Sequence, residues 1–194
     1  MSKIIDFYFD FISPYSYIAH QKIKSLEEKN EIKFNYKPIL LGGLHKLGNI
    51  TAPAFNERKM KNMKNDCELI SKKNSISFKW NDKFPINSLY LMRGFISIDP
   101  NFKDQYLDIC FNSYWKNNKD ISVDINLDNI LDNCKIDKKK FYTLINDHKI
   151  KDKLKYFTDQ AFELGVFGAP TFIVNNKLFW GQDRLEYALD ECNS

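Results

Sequence analysis

The chain has 194 residues, 43% hydrophobic and 28% charged, with 7 Gly, 6 Pro and 4 Cys, a composition that is neither disordered, collagen-like nor disulfide-stapled. A net charge of +4 from 29 basic and 25 acidic side chains, with lysines scattered among acids and asparagines and clustered only in short runs such as CKIDKKKF, is that of a solvated face and argues against a nucleic-acid partner. No apolar run of about 18 residues and no secretory leader pattern is found, so the expectation is a cytoplasmic protein with no membrane partner and one core, with or without an inserted lobe.

Lys3 to Asp10, KIIDFYFD, is an apolar and aromatic run with the length of a strand buried on both faces. After FISPYS, Tyr17, Ile18, Ile23 and Leu26 recur at helical spacing through Glu28, and Asn30 ends the helix. Ile32 to Pro38 then alternates, with Ile32, Phe34 and Tyr36 on one face, which predicts a second strand parallel to the first. From Leu40 the character changes. LLGGLHKLGNITAP reads as a glycine-containing loop, and amphipathic helices follow over Glu57 to Lys73, Ser88 to Ser97, Phe102 to Asn117 and Lys138 to Asn146. Pro85 and Pro100 punctuate this region, and NLDNILDNCKID suggests short helices started by Asx residues. Lys151 to Leu164 is again helical, GVFGAP is a turn, and TFIVNNKLFW is a hairpin joined by Asn175 and Asn176. GQDRLEYALDEC closes the chain as a helix. Strand, helix, strand at one end and helix, strand, strand, helix at the other give an α/β chain: a thioredoxin-like fold with an inserted all-helical domain. The expected division is 1–40 and 152–194 for the first unit and 41–151 for the insertion.

In such an architecture the turn after the first strand gathers unpaired backbone N–H groups at the start of a helix. Here that turn is Ser13-Pro14-Tyr15-Ser16. With serine at both positions it cannot cycle a disulfide of its own, but the same geometry can hold another molecule's thiolate. Ser13 before Pro14 is equally a favoured helix cap. Ala169-Pro170 precedes a strand at a place where a cis bond suits a tight turn, and in this architecture it faces Ser13. Cys67, Cys110, Cys134 and Cys192 form no C-x-x-C or metal-ligand pattern, His20, His45 and His148 are isolated, and no metal is expected.

FYFDFISPYSYIA at 7–19, GN at 48–49, FPINSLYLMR at 84–93, GVFGAPTF at 165–172 and FWGQDRLE at 179–186 together resemble the 2-hydroxychromene-2-carboxylate isomerases and their relatives, the kappa-class glutathione transferases, along the whole chain. The resemblance implies glutathione as cofactor, a small aromatic substrate and a homodimer. It implies that Ser13 is catalytic, its hydroxyl favouring the thiolate of glutathione. It places the cysteinyl part against the backbone of Ala169, before Pro170, and the γ-glutamyl end at Gln182 and Asp183. Asp183 also reads as a helix cap with Glu186 as capping-box partner. Asn49 matches the family's asparagine between the lobes, and Lys59 is the expected partner of the glycyl carboxylate, with Arg58 and Lys61 as neighbours that could take its place. Asn87 and Arg93, in the FPINSLYLMR segment, read as structural, with a place facing the second substrate as the alternative. Isomerisation is the expected activity; a kappa-like transferase or peroxidase, or a non-catalytic glutathione-binding module, are the alternatives.

Overall fold

The computed structural model describes residues 4–27 and 32–194. The expected strand start at Lys3 and helix end at Glu28 and Asn30 lie outside them. The opening run forms strand β1 (Ile4–Phe9), followed by helix α1 (Pro14–Glu27) and strand β2 (Lys33–Pro38). β1 and β2 pair in parallel, Phe7 opposite Tyr36, as a helical crossover between two strands requires. From the far end of the chain, β3 (Thr171–Val174) pairs antiparallel with β1, and β4 (Lys177–Trp180) antiparallel with β3. The sheet order is β2-β1-β3-β4. Asn175 and Asn176 make the tight turn between the last two strands at φ 50° and 60°, the left-handed region that asparagine tolerates.

Side-chain alternation sorts the two faces of the sheet. Ile5, Phe7 and Phe9 of β1 enter the main core with Phe34 of β2 and Phe172 of β3, where the Phe7 and Phe172 rings stack at 5.3 Å. Tyr8 points the other way, into a smaller cluster with Ile39, Leu44, Ala161 and Val166. β1 is therefore buried on both faces only in its second half, whereas the whole run was expected to be: Ile4 is 48% exposed and Asp6 half-buried. The side chains that cover the second face reach only the Tyr8 end of the strand.

Between β2 and β3 the described residues hold helices and short 3₁₀ turns: α2 (Leu41–Leu47), α3 (Glu57–Lys73), α4 (Leu89–Ser97), α5 (Lys103–Trp115), α6 (Asp124–Asn133), α7 (Lys138–Asn146) and α8 (His148–Glu163). α3 and α7 have the expected bounds. α2 corrects the expected loop. Its first amide, Leu41 N–H, donates to the buried Asp10 carboxylate at 2.8 Å, and a Cβ on Gly43 would lie 3.7 Å from Thr158 of α8, so packing overrides the poor helix propensity of Gly42 and Gly43. The Asx start holds for α7, where Asp137 accepts from Lys140 N–H at 2.7 Å. It fails for α6, which follows Val123 with no side-chain cap. α8 begins three residues earlier than expected because Asp147 caps it, accepting from Lys149 N–H at 2.7 Å. It runs unbroken past residue 152, and 41–151 stands as our proposal for the inserted unit.

After β4 a 3₁₀ turn (Gln182–Arg184) leads into α9 (Leu185–Asn193). α9 lies against β1 and β3, and α1 against α3 and α5. The turn after β1 is tied down from α5, where the Trp115 indole donates to the Phe11 carbonyl at 2.9 Å.

Candidate functional site

The turn that carries Ser13 is built on a buried carboxyl. Ser13 N–H donates to the Asp10 carbonyl at 3.0 Å, while the fully buried Asp10 side chain accepts from Ile12 N–H at 3.1 Å and from Leu41 N–H at 2.8 Å. Burial pushes the Asp10 carboxyl up to about 6, against the opposing pull of its Leu41, Ser88 and Ile12 donors. Ser13 is 3% exposed and precedes Pro14 at the first helical position. Its Oγ accepts from Ser16 N–H at 3.1 Å and donates to the Ala169 carbonyl at 2.8 Å. It is thus a helix cap and a bridge to the other end of the chain at once. Ser16 is fully buried, and its hydroxyl makes no hydrogen bond among the described residues.

The Ala169-Pro170 bond is cis. Around it, Gly181 N–H donates to the Pro170 carbonyl at 2.9 Å and the Thr171 hydroxyl to the Gly168 carbonyl at 2.7 Å. Trp180 lies over Gly168 so closely that a Cβ there would sit 2.6 Å from the indole nitrogen. Gly181 has φ 109°, and a Cβ would meet Asp183 Oδ1 at 2.6 Å. Only glycine allows both the conformation and the approach.

This loop forms one wall of a cleft of about 980 Å³, at the upper end of the size range of small-molecule sites. α1 contributes Tyr15 and Lys22, α3 contributes Asp66 and Lys73, and the C-terminal segment contributes Ala169, Pro170, Gln182 and Asp183. The Tyr15 hydroxyl donates to Asp66 at 2.7 Å, and burial, with Asp66 beside it, pushes this phenol up. Lys22 Nζ donates to Gln182 Oε1 at 2.6 Å. Asp183 pairs with Arg184 at 3.0 Å. The expected capping box is absent: Asp183 lies within the 3₁₀ turn, one residue before the cap position of α9, which is Arg184 with no side-chain bond.

Of the residues singled out from sequence, Ala169, Pro170, Gln182 and Asp183 line the cleft, and Ser13 reaches it through Ala169. Asn49, exposed at φ 51° after α2, and Lys59, exposed in the first turn of α3, do not line it, nor do Arg58 and Lys61. The Lys59 N–H is the one that Asn56 caps, at 3.1 Å. Asn87 accepts from Leu89 N–H at 3.0 Å at the start of α4. The residues missed were Tyr15, Lys22, Asp66 and Lys73. Their signal was a spacing of seven on each helix, which puts 15 with 22 and 66 with 73 on one stripe. Cys67, Cys110 and Cys134 are buried, and burial pushes their thiols up, Cys134 to about 11, so they carry no reactive thiolate. Among the described residues no His, Cys, Asp or Glu cluster could hold a metal ion.

A family model described as DSBA-like thioredoxin domain matches residues 4–192. The 2-hydroxychromene-2-carboxylate isomerase of Sphingobium xenophagum is 26% identical over 193 residues, 96% of either chain. That of Pseudomonas putida is 28% identical, over 94% of this chain and 90% of the relative. Glutathione S-transferase kappa 1 of Rattus norvegicus is 21% identical, over 95% and 88%. Among solved structures, a 2-hydroxychromene-2-carboxylate isomerase matches with a TM-score of 0.87 at 25% identity, covering 96% of this chain and 93% of that one. DsbA of Pseudomonas aeruginosa, at 0.56 and 17% over 96% of this chain and 80% of that one, shares the fold alone.

Proposed function

The chain belongs to the DSBA-like thioredoxin domain family, and we propose that within it this protein is a glutathione-dependent isomerase of the 2-hydroxychromene-2-carboxylate type, with Ser13 as its catalytic residue. The observation that carries the reading is the 2.8 Å bond from the Ser13 hydroxyl to the Ala169 carbonyl, in a chain whose active turn has serines where disulfide exchange needs cysteines. The relatives named as isomerases cover nearly the whole chain, and opposed charges in the cleft suit a zwitterionic peptide.

Bound glutathione would supply a thiolate able to add reversibly to an unsaturated carbon of an aromatic substrate. Ser13 would stabilise that charge. Lowering a thiol by roughly two units from its free value near 8.5 requires about 2.7 kcal/mol. A hydroxyl bonded to a charged partner supplies about 1.5 to 3 kcal/mol, and the helix N-terminus adds about 0.3 to 1 kcal/mol. Ser13 has one proton, and it now rests on the Ala169 carbonyl. A peptide N–H donated to that carbonyl would replace it and free the hydroxyl to turn to sulfur. Gln182 and Asp183 would receive the γ-glutamyl end, and Asn49 and Lys59 would serve the glycyl end from outside the cleft. Trp180 and Phe167, 53% and 41% exposed with centroids 4.8 Å apart and planes tilted by 52°, offer an apolar aromatic corner beside Ala169 for an aromatic ring.

A homodimer rests on the same resemblance, and a cytoplasmic location on the sequence pattern; among the described residues no helix is long and apolar enough to cross a membrane. The deciding experiment incubates the protein with glutathione and either the chromene carboxylate or a chloronitroaromatic, and counts thiols. Isomerisation at constant total thiol is expected. Steady thiol consumption without isomerisation would refute the reading in favour of the transferase that the kappa relatives are named for.

A further inference from the structure

We propose that Ser16, the second serine of the active turn, is a positioning residue for Ser13: its buried hydroxyl donates to Ser13 Oγ when Ser13 turns its own proton to the glutathione sulfur, and so strengthens the bond that holds the thiolate. This rests on the glutathione reading above and extends it to a residue that reading leaves idle.

Ser16 stands in the first turn of α1, fully buried, and its N–H already reaches Ser13 Oγ at 3.1 Å. Residues three apart at a helix start lie on one face, with Cβ atoms about 5–6 Å from each other, so the two hydroxyls share that face. The Ser16 hydroxyl has no hydrogen-bond partner among the described residues. Helical hydroxyls ordinarily return to a carbonyl three or four residues back, as Thr143 does on α7 and Thr158 on α8, each at 2.9 Å. Ser16 does not take that outlet, and the Ser13 carbonyl, three residues back, holds Tyr17 N–H at 3.2 Å. A buried donor without a partner bears the full desolvation of its proton, so this hydroxyl burdens the free protein.

Ser13 Oγ has the capacity to match. A hydroxyl oxygen offers two lone pairs and one proton. Here one lone pair holds Ser16 N–H, the proton rests on the Ala169 carbonyl, and no second donor reaches the oxygen among the described residues. While its proton faces a neutral carbonyl, the oxygen gains little charge. Facing a thiolate it gains more, because a hydrogen bond to a charged acceptor is roughly twice as strong as a neutral one and polarises its donor. The Ser16 proton then meets a better acceptor, and the order becomes Ser16 O–H to Ser13 O–H to sulfur, each proton staying on its own oxygen. What the free protein loses at Ser16 is returned in the complex, and only when the sulfur is charged. Tyr15, between the two serines, is committed to Asp66 of α3 and takes no part.

The test titrates the ultraviolet absorbance of the bound glutathione thiolate, beside the Tm of the free protein and calorimetric binding of S-methylglutathione, which has no thiol to ionise. Ser16→Ala is expected to raise the thiolate midpoint by about half to one unit, a loss of about three- to tenfold in the ionisation constant. It should not lower Tm, and the S-methylglutathione Kd should stay within about twofold. Ser16→Gly, which also lacks the hydroxyl, should raise the midpoint equally, so that poor folding of one variant does not decide the matter. In a Ser13→Ala background, Ser16→Ala should add nothing, because it acts through the oxygen already removed. An unchanged midpoint overturns the proposal, as does a further rise in the Ser13→Ala background, or a loss of S-methylglutathione affinity as large as the loss of ionisation. A wild-type protein that binds no glutathione at all refutes the glutathione reading itself, so the two failures are distinct.

Discussion

Replacing Ser13 by alanine removes one oxygen that serves two groups in the free protein and would serve a third, the thiolate, in the proposed complex. In the free protein the variant loses the cap on Ser16 N–H, worth about 1 kcal/mol, and leaves the Ala169 carbonyl without its buried donor, which costs about 1 to 3 kcal/mol more. Together these predict a loss of about 2 to 4 kcal/mol, or a fall in Tm of about 5 to 15 °C for a chain of this length. Ser13→Thr keeps the hydroxyl and should lose less. The functional effect is read separately, by titrating the ultraviolet absorbance of the bound thiolate. In the wild type it should form well below pH 8, and in Ser13→Ala it should return to near 8.5. A variant with a lowered Tm but the wild-type thiolate titration would leave Ser13 a helix cap and nothing more. An unchanged Tm would refute the buried bridge.

Asp10 makes stability depend on pH in a defined direction. Its carboxyl is raised from 3.8 to about 6 by burial, so its contribution is fully present below the unfolded value and is lost as pH rises through about 6, a loss of about 3 kcal/mol. Asp10→Asn should therefore gain about that much on the wild type between pH 4 and 7 in urea denaturation; parallel stability curves would contradict it. Gly94 of α4 packs where a Cβ would lie 2.6 Å from the Phe141 ring, and Gly94→Ala should cost about 1 to 3 kcal/mol, seen as a lower urea midpoint. Trp180→Ala should raise KM for the aromatic substrate about three- to tenfold and leave the glutathione Kd within about twofold, checked by steady-state kinetics beside calorimetry.

What could be read from sequence was local, or local at both ends of one contact. Strand β1 shows as a run of aromatics, the β3 to β4 turn as two asparagines, and α3 and α7 as apolar stripes. α2 could not be read. Gly42 and Gly43 argue against a helix, and what makes one is the Asp10 carboxylate 31 residues upstream and the α8 surface that it packs on. Asp183 was misread as a capping-box residue for a related reason: the 3₁₀ turn over Gln182–Arg184 shifts the helix start, and nothing within that segment announces the shift. Lys22 and Lys73 each look like a solvated lysine on its own helix. They line one cleft because Tyr15 and Asp66 fix the register of α1 against α3, a relation that exists between elements and not within either.

The serine in place of cysteine changes more than the source of sulfur. A cysteine at this turn would be the nucleophile itself and would gain from the helix start whether or not a ligand were present. Ser13 has a single proton and two obligations for it, the Ala169 carbonyl in the free protein and the thiolate in the proposed complex. The exchange between them requires a new donor for the carbonyl, because a buried carbonyl stripped of its hydrogen bond would cost about as much as the hydroxyl gains at sulfur. A peptide paired with the Ala169 backbone brings that donor in its own N–H, whereas a simple thiol brings none. In the proposed complex, binding as a peptide and activation as a thiolate would then be one event, and selectivity for a peptide thiol over a free one would lie in the backbone of Ala169 as much as in the charged groups of the cleft.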